Sequence, residues 1–351
     1  MVSRAVSNET RSRAEREPSV PAGKALSPKP EALRRESLTQ HALRRYGVVL
    51  VWIALIIGFG IARPTTFLTP SNFAAMFGTQ AALLILTLSL VITLSVGEMD
   101  LSVASVLGLS AVVTAVLNTQ QGWPWPLAVA AGLACGPIVG AANAFFVVVF
   151  EINALIITLG MGTLVLGIST FISDSSAIGG VDPQLTSIML FRVFTLPVSF
   201  WLAIIVMLVI WYVQQFTTLG RHMLFTGQNH TVARLAGIRV NLIRFGAYAL
   251  GGLVAAIAGE VVLAIAGGIE ASSTQNLLLP AFAAAFLGAA VIQPGRFNAW
   301  GAAVAVFFLI TGITGLQLLG LDAWIQNAFY GAALVVAVTA SKLMARSQRE
   351  R

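Results

Sequence analysis

About ten separate runs of apolar residues follow one another along the chain, and they restrict the fold more than any other feature. A helix needs roughly 20 such residues to cross a hydrocarbon layer about 30 Å thick. Hydrophobic residues make up 57% of the 351 positions and charged residues 10%, whereas soluble domains are about 25% charged. The sequence therefore predicts an all-α, polytopic membrane protein with transmembrane helices at 47–62, 75–95, 102–118, 127–149, 154–173, 198–216, 245–266, 277–292, 298–318 and 324–343.

Basic residues are distributed unevenly between the segments that connect these spans. Ten of the 21 lysines and arginines lie within residues 1–45, four lie near the C-terminus, and most others lie in a central segment, residues 217–244. If the N-terminus is cytoplasmic, ten spans place all of them in the cytoplasm except Arg63 and Arg192. Cytoplasmic loops are enriched in Lys and Arg, so both termini are predicted to be cytoplasmic. The net charge of +7 then reflects topology and does not indicate a nucleic-acid partner.

The two ends of the chain are polar, and one predicted span is weaker than the others. Residues 1–46 are rich in Arg, Ser, Pro and Glu, a composition typical of a disordered, basic cytoplasmic tail. Residues 47–345 form the predicted transmembrane domain, and residues 346–351 form a short cytoplasmic tail. The segment 277–292 is short and contains Pro280, so it is alternatively a re-entrant loop. That alternative would place the basic C-terminal tail outside, against the charge rule.

The sequence contains no catalytic or metal-binding motif. A nucleotide-binding P-loop requires a Lys before Ser or Thr, and the lysines Lys24, Lys29 and Lys342 all lie in other contexts. Three histidines and the single Cys135 make no metal-ligand cluster. We therefore predict no catalytic residue, no metal site and no cofactor bound by this chain, and an integral-membrane enzyme is disfavoured.

Polar side chains within the predicted spans are candidates for a solute path. Asp100 and Ser102 lie at the start of the third span, Asn143 in the fourth, Thr158 in the fifth and Asn327 in the tenth. A polyhydroxylated solute needs neutral donors and acceptors along its path, which favours this set. The alternative for Asp100 is a helix N-cap. For the others it is a bond between helices or to the helix backbone.

Glu260 is the acid that lies most clearly within a span, toward its outer end. Acids deep in spans mark proton-coupled transporters. At this position we expect instead a carboxyl group hydrogen-bonded to a neighbour, with a transport role as the alternative.

Small residues recur four positions apart in two spans. Gly132, Gly136 and Gly140 form a tandem GxxxG pattern, and the later span repeats it with Gly252/Ala256 and Ala255/Gly259. Such ridges let helix backbones approach closely in a membrane. We expect them to pack within one subunit, with packing against a second subunit as the alternative.

The central segment is the least hydrophobic of the segments that connect the predicted spans. Residues 230–237 can form two helical turns that end at Gly237, and Arg221, Arg234, Arg239 and Arg244 surround them. A membrane protein that places such a segment between spans is predicted to present it to a soluble partner. The alternative is an ordinary positively charged loop.

Five stretches, in order along the chain, resemble the permease subunits of ribose-type (simple-sugar) ABC transporters, the inner membrane components of binding-protein-dependent systems. The stretch GEMDLSV at 97–103 is similar to the family pattern GGIDLSV, and ARLAGI at 233–238 is similar to its coupling helix. The others are FLTPSN at 67–72, GAAN at 140–143 with LIITLG at 155–160, and 301–320.

This resemblance implies a cytoplasmic coupling helix between the sixth and seventh spans, docked on an ATPase subunit through His230, Ala233, Arg234, Gly237 and Ile238. It implies that ATP and Mg are used by that partner and not by this chain. The other implied partners are a second permease copy, identical or closely related, an extracytoplasmic solute-binding protein and the lipid bilayer of the bacterial inner membrane. Candidate docking segments for the binding protein are 174–197 and 267–276.

Two departures from the family pattern leave the solute open. Glu98 stands where a small residue is commoner, and residues 286–295 lack the usual Gly-Gly pair. The leading prediction is a sugar or a similar small polar solute. The alternatives are a branched-chain-amino-acid permease and a stand-alone secondary transporter.

Overall fold

The computed structural model describes residues 38–349, with side chains placed for residues 46–339. The helices are α1 (Leu38–Ala62), α2 (Pro64–Phe67), α3 (Pro70–Thr79), α4 (Ala81–Ser95), α5 (Val103–Thr119), α6 (Trp125–Ala144), α7 (Ala154–Ile172), α8 (Pro183–Leu190), α9 (Val198–Phe216), α10 (Thr218–Gln228), α11 (His230–Leu235), α12 (Val240–Ala266), α13 (Leu278–Gly288), α14 (Ala299–Leu318) and α15 (Trp324–Arg349). A π-helical turn, Phe145–Val149, continues α6, and a 3₁₀ helix, Ser272–Leu277, precedes α13.

Four two-residue strands interrupt the helices: β1 (Ile178–Gly179), β2 (Arg192–Val193), β3 (Leu196–Pro197) and β4 (Gly268–Ile269). They form two antiparallel pairs, β1 with β4 and β2 with β3. These short pairs tie connecting segments together and leave the architecture all-α, as predicted.

The predicted spans coincide with helices, although the helices differ in length. Five of them are long and apolar enough to cross a membrane: Trp125–Val149, Ala154–Ile172, Val198–Phe216, Val240–Ala266 and Ala299–Leu318. The pair α3 and α4, bent by 41°, gives a sixth if the two helices form one span. The apolar stretches Tyr46–Ala62, Val103–Thr119 and Trp324–Thr339 are shorter. The chain is a polytopic helical membrane protein, and the number ten stays a prediction.

The ends of the chain differ from the predicted boundaries. Helix α1 begins at Leu38, within the predicted N-terminal tail, and α15 continues to Arg349, within the predicted C-terminal tail. Residues 1–37, the rest of the predicted disordered tail, lie outside the described residues. Helix α13 has 11 residues, about 16 Å at 1.5 Å per residue, which is shorter than the predicted span 277–292. Pro280 lies in the first turn of α13, where a backbone N–H has no partner within the helix, so a proline there removes no helical hydrogen bond.

Connecting segments lie on two sides of the helices. One side, here called the central side because it carries most of the central segment, contains α10 and α11. The turn 289–298 lies on the same side and reaches the end of α9, where Gln293 donates to Gln215 at 3.2 Å. On the opposite side, β1 pairs with β4 in the register Ile178↔Ile269. Because β1 follows α7 and β4 follows α12, the predicted docking segments 174–197 and 267–276 are in direct contact.

Small residues allow α12 to pack between α5 and α6. A side chain at Gly136 would collide with the backbone of Gly252, and a side chain at Gly140 would collide with the Tyr248 carbonyl. On the other face of α12, a side chain at Gly259 would collide with the backbone of Leu107. The GxxxG ridges therefore pack within one subunit, as expected, and hold together the three helices that carry the polar residues described below.

Candidate translocation and coupling site

Four of the five residues predicted for the solute path meet at the junction of α4 and α5. The Asp100 carboxylate accepts from the backbone N–H of Ser102 at 2.9 Å and from its hydroxyl at 2.6 Å. Asn143, near the end of α6, donates to the Ser102 hydroxyl at 2.8 Å. All three side chains are buried. Asp100 thus braces the turn that leads into α5 and also joins a contact between helices. It is not the predicted N-cap, because Ser102 occupies that position and makes no side-chain cap hydrogen bond.

Thr158 connects this junction to α7. Its hydroxyl accepts from the backbone N–H of Leu101 at 3.0 Å and donates to the carbonyl of Met99 at 3.3 Å. The hydroxyl therefore replaces a backbone partner on each side of Asp100. Asp100, Ser102, Asn143 and Thr158, here called the polar cluster, join the α4–α5 junction to α6 and α7.

One acceptor in the polar cluster has no partner. The amide oxygen of Asn143 is buried and makes no hydrogen bond with the described residues. A buried polar atom without a partner costs free energy, so such an atom in a native fold invites an explanation. A solute hydroxyl group would satisfy it.

Asn327 does not join the polar cluster. It lies in the first turns of α15 with an exposed side chain, whereas the four cluster residues are buried. Its predicted place in a path stays a prediction without support from the cluster.

Glu98, the departure from the family pattern, forms a buried ion pair. Its Oε1 accepts from Nε of Arg244 at 2.5 Å, and its Oε2 accepts from the Tyr248 hydroxyl at 3.2 Å. The side chains of Arg244 and Glu98 are 13% and 5% exposed. Arg244 and Tyr248 lie one turn apart on α12, so the pair connects the α4–α5 junction to the start of α12. Sequence reasoning noticed both charges and did not pair them.

The central segment folds as predicted into a short helix with a glycine terminator. The Asn229 side chain caps α11 by accepting from the N–H groups of Thr231 and Val232 at 2.9 and 3.1 Å. Gly237 has φ +82°, a conformation that favours glycine, and its N–H donates to the Arg234 carbonyl at 3.0 Å. The chain then turns through Ile238, which is half-buried, into α12.

The inner face of α11 contacts the α4–α5 junction directly. Ala233 is buried, and Nε2 of His230 lies 3.1 Å from the Val96 carbonyl oxygen. Just before α11, Gly227 is so close to Ser95 that a side chain there would collide with the Ser95 carbonyl. The inner face of α11 therefore packs against the residues that lead into the polar cluster.

The outer face of α11 exposes apolar side chains that sequence reasoning missed. Val232 is 60% exposed and Leu235 is 84% exposed, and the neighbouring Arg234 is also exposed. The two apolar residues are three positions apart, which places them on one face of a helix. His230 and Ala233, also three positions apart, lie on the inner face. The spacing of these two pairs within the six residues of α11 was the signal in the sequence that could have separated the outer face from the inner face. An exposed apolar patch with an arginine is typical of a protein interface.

A recess lies beside the central segment. It is a cavity of about 800 Å³ lined by the ends of α4 and α9, by α10 and by the turn 292–298. The second departure from the family pattern, Pro294 and Gly295, lies in this wall, and the polar cluster does not. The two departures therefore occupy different places.

Glu260 has the hydrogen-bonded environment that we expected. Its Oε1 accepts from the hydroxyls of Ser110 and Thr114 at 2.7 and 2.8 Å. Its Oε2 is buried without a hydrogen-bond partner among the described residues. A side chain at Gly132 of α6 would collide with this carboxyl group. Glu260 therefore lies inside the contact of α5, α6 and α12.

Comparison with known proteins identifies a matching family model and similar chains. A family model described as "branched-chain amino acid transport system / permease component" matches residues 72–338. A protein of Photorhabdus laumondii named autoinducer 2 import system permease protein LsrD is 32% identical over 84% of this chain and 91% of its own length. Proteins of the same name from Klebsiella pneumoniae and Escherichia coli K12 are 33% and 31% identical, over 74% and 87% of this chain and 80% and 95% of theirs. No solved structure matches the chain.

Proposed function

The chain belongs to the family of permease components of branched-chain amino acid transport systems, and from this premise we propose that it imports a small, uncharged polar solute under the control of a partner ATPase. The observation that carries the proposal is the arrangement of α11. Its outer face is exposed and apolar, while its inner face contacts the junction that holds the polar cluster. Movement of a docked partner would therefore reach the cluster through one helix.

In this proposal, two ATPase subunits bind and hydrolyse ATP with Mg, and they dock on the outer face of α11. Closure of the ATPase pair displaces α11 as a rigid body, and the spans shift between outward-open and inward-open packing. Arg234, Val232 and Leu235 contact the ATPase. His230 and Ala233 transmit the motion inward, and Gly237 with Ile238 joins it to α12.

The sides of the protein support the proposed orientation. Arg221, Arg234 and Arg239 are exposed on the central side, and Arg63, just after α1, and Arg192, in β2, are exposed on the other side. The positive-inside tendency then places α11 and both termini in the cytoplasm of a bacterial cell. The joined segments 174–197 and 267–276 face outward, where they would receive a solute-binding protein, and a second permease copy completes the assembly.

The chemistry of the polar cluster favours a neutral solute. Its donors and acceptors are hydroxyl, amide and backbone groups, and its one carboxylate, Asp100, is already occupied by Ser102. A branched-chain amino acid carries an ammonium and a carboxylate group and would need charged partners. The second acid near the cluster, Glu98, is not available for the ammonium group, because it is paired with Arg244. We therefore propose a sugar or a similar polyhydroxylated solute. Autoinducer 2, named for the relatives, is the first candidate to test.

The decisive experiment is uptake by proteoliposomes that contain the permease, with and without a partner ATPase and a solute-binding protein. ATP-dependent accumulation that needs both partners supports the proposal, and equal accumulation by the permease alone identifies a secondary transporter. Arg234→Glu and Gly237→Pro should abolish co-purification of the ATPase, while Arg192→Glu on the other side should not. Unchanged co-purification and uptake in both coupling variants would disprove the role of α11.

Orientation and solute need separate measurements. In a Cys135→Ala background, Leu235→Cys and Phe194→Cys place single thiols at positions that are 84% and 86% exposed on the two sides. A membrane-impermeant reagent added to intact cells should label the second and not the first. Titration of the partner binding protein with autoinducer 2, sugars, polyols and leucine should give binding to a polyhydroxylated compound, and binding of leucine alone would favour the amino acid alternative.

A further inference from the structure

The ion pair between Glu98 and Arg244 connects two elements that α11 contacts separately. Glu98 belongs to the α4–α5 junction, two residues before Asp100, and Arg244 belongs to the second turn of α12. The pair is buried, and both carboxylate oxygens accept from α12, one from Arg244 and the other from Tyr248. The two residues are 146 positions apart in the chain, so tertiary packing brings them together.

The two elements receive force from α11 by different routes. The inner face of α11 contacts the junction through His230 and Val96. Its C-terminal end leads through the turn at Gly237 directly into α12.

Helix packing already joins the two elements, since α4 and α5 lie against α12 and Ser89 of α4 donates to the Gly251 carbonyl at 2.7 Å. The Glu98–Arg244 pair adds a charged contact at the end nearest α11. With Glu98 and Arg244 paired, the junction and the start of α12 are fastened to each other as well as to α11.

A buried ion pair is well suited to this task. Separating the partners would leave each charge buried without its counter-charge, which is strongly unfavourable. The pair therefore stays formed while the helices around it shift, and a displacement of α12 is passed to the junction.

We propose that Glu98, Arg244 and Tyr248 form a coupling link that makes the α4–α5 junction and the start of α12 move as one body during the ATPase cycle. This inference rests on the proposed function. The link positions the polar cluster and does not touch the solute. Its loss lowers the coupling of ATP hydrolysis to transport, because α11 then displaces the junction and the start of α12 without the charged contact that keeps the two displacements equal.

The test measures solute transported per ATP hydrolysed by the complete transporter in proteoliposomes. Glu98→Gln and Arg244→Gln are expected to lower this ratio by about tenfold or more while ATPase activity stays within about threefold of wild type. The exchanged pair Glu98→Arg/Arg244→Glu is expected to recover part of the ratio, because the opposite charges again meet. Glu151→Gln, an exposed acid that follows the π-helical turn, is the matched control and should leave the ratio unchanged.

The possible outcomes separate the two proposals. A parallel fall of uptake and ATPase activity, with the ratio unchanged, means that the pair only stabilises the fold and overturns the link. If the single variants fail to assemble, Glu98→Gln/Arg244→Gln leaves no buried charge unpaired and decides the matter by the same ratio. Wild-type protein that transports without ATP overturns the proposed function itself.

Discussion

Two buried glutamates lie at opposite ends of the contact between α5 and α12, and they are held by different chemistry. Glu98, on the central side, has a cationic partner, Arg244, and a hydroxyl donor, Tyr248. Glu260, toward the opposite side, has the hydroxyls of Ser110 and Thr114 and no hydrogen-bond partner for Oε2 among the described residues. The first side chain joins separate elements near α11, and the second lies inside a tightly packed bundle.

The difference indicates which end of the contact transmits force. A charged pair resists separation strongly, while hydroxyl bonds are weaker and have alternatives: Ser110 and Thr114 are also within 3.3 and 3.1 Å of the carbonyls of Ala256 and Ala128. Removing a charge should therefore be severe at the central side and mild at the opposite side. The following changes test that contrast.

The largest effect is expected for Arg244→Met. This change leaves the Glu98 carboxylate buried without its cation, and the free energy of unfolding should fall by about 3–5 kcal/mol. Denaturant unfolding of the solubilised protein measures it, with Arg221→Met at an exposed position as the control. A loss as small as that of the control would mean that Glu98 finds another partner.

Asn143→Leu should lower solute uptake about tenfold, the effect of losing interactions worth about 1.4 kcal/mol. It removes both the donor to Ser102 and the free amide oxygen, and assembly with the ATPase should persist. The matched variant is Asn327→Leu, whose side chain lies outside the polar cluster and should matter little. Reduced uptake in the second variant alone would move the path to α15.

Thr158→Val should reduce uptake by about threefold and stability by about 1 kcal/mol, since the Leu101 N–H loses its acceptor. Transport assays and thermal unfolding together measure both effects. Thr163→Val, on the same helix, removes a hydroxyl whose one hydrogen bond within the described part of the chain goes to the Leu159 carbonyl of its own helix at 3.0 Å, and it should change neither. Equal effects of the two would deny Thr158 a special place.

Glu260→Gln should have the smallest effect, about 1 kcal/mol or less in the free energy of unfolding, with uptake unchanged. The amide oxygen still accepts from Ser110 and Thr114, so the packing of α5, α6 and α12 is kept. Thermal unfolding and uptake check this directly. Loss of transport in a stable variant would show that this acid has a function that the contrast with Glu98 misses.

Most of the helical architecture could be predicted because lipid exposure imposes a local rule on composition. Apolar runs mark α6, α7, α9, α12 and α14 correctly without any knowledge of their neighbours. The rule is weaker for α13, which is short and surrounded by α4, α14 and α15. Packing decides its length, and no periodic pattern records that.

The candidate site was predictable in its members and not in its connections. Asp100, Ser102, Asn143 and Thr158 were each predicted as path candidates because they are polar residues in or beside apolar spans, and their common location was not predicted. The partner of Glu98 did not follow, because a charge in a loop between helices has many possible partners until the helices pack. Likewise, the exposed faces of Val232 and Leu235 appear only once Ala233 is known to point inward.

The amino-acid sequence by itself determined that the chain is a helical membrane protein, where its long apolar helices lie, and that a short helix beginning at His230 precedes Gly237, because each depends on residues close together in the chain. The helices α2, α8 and α10 were not predicted. Tertiary structure alone decided that β1 meets β4, that Gly136 meets Gly252, and that Glu98 meets Arg244. Those contacts depend on the close approach of helices distant in sequence, and the free energy of such an approach is a property of the packed bundle.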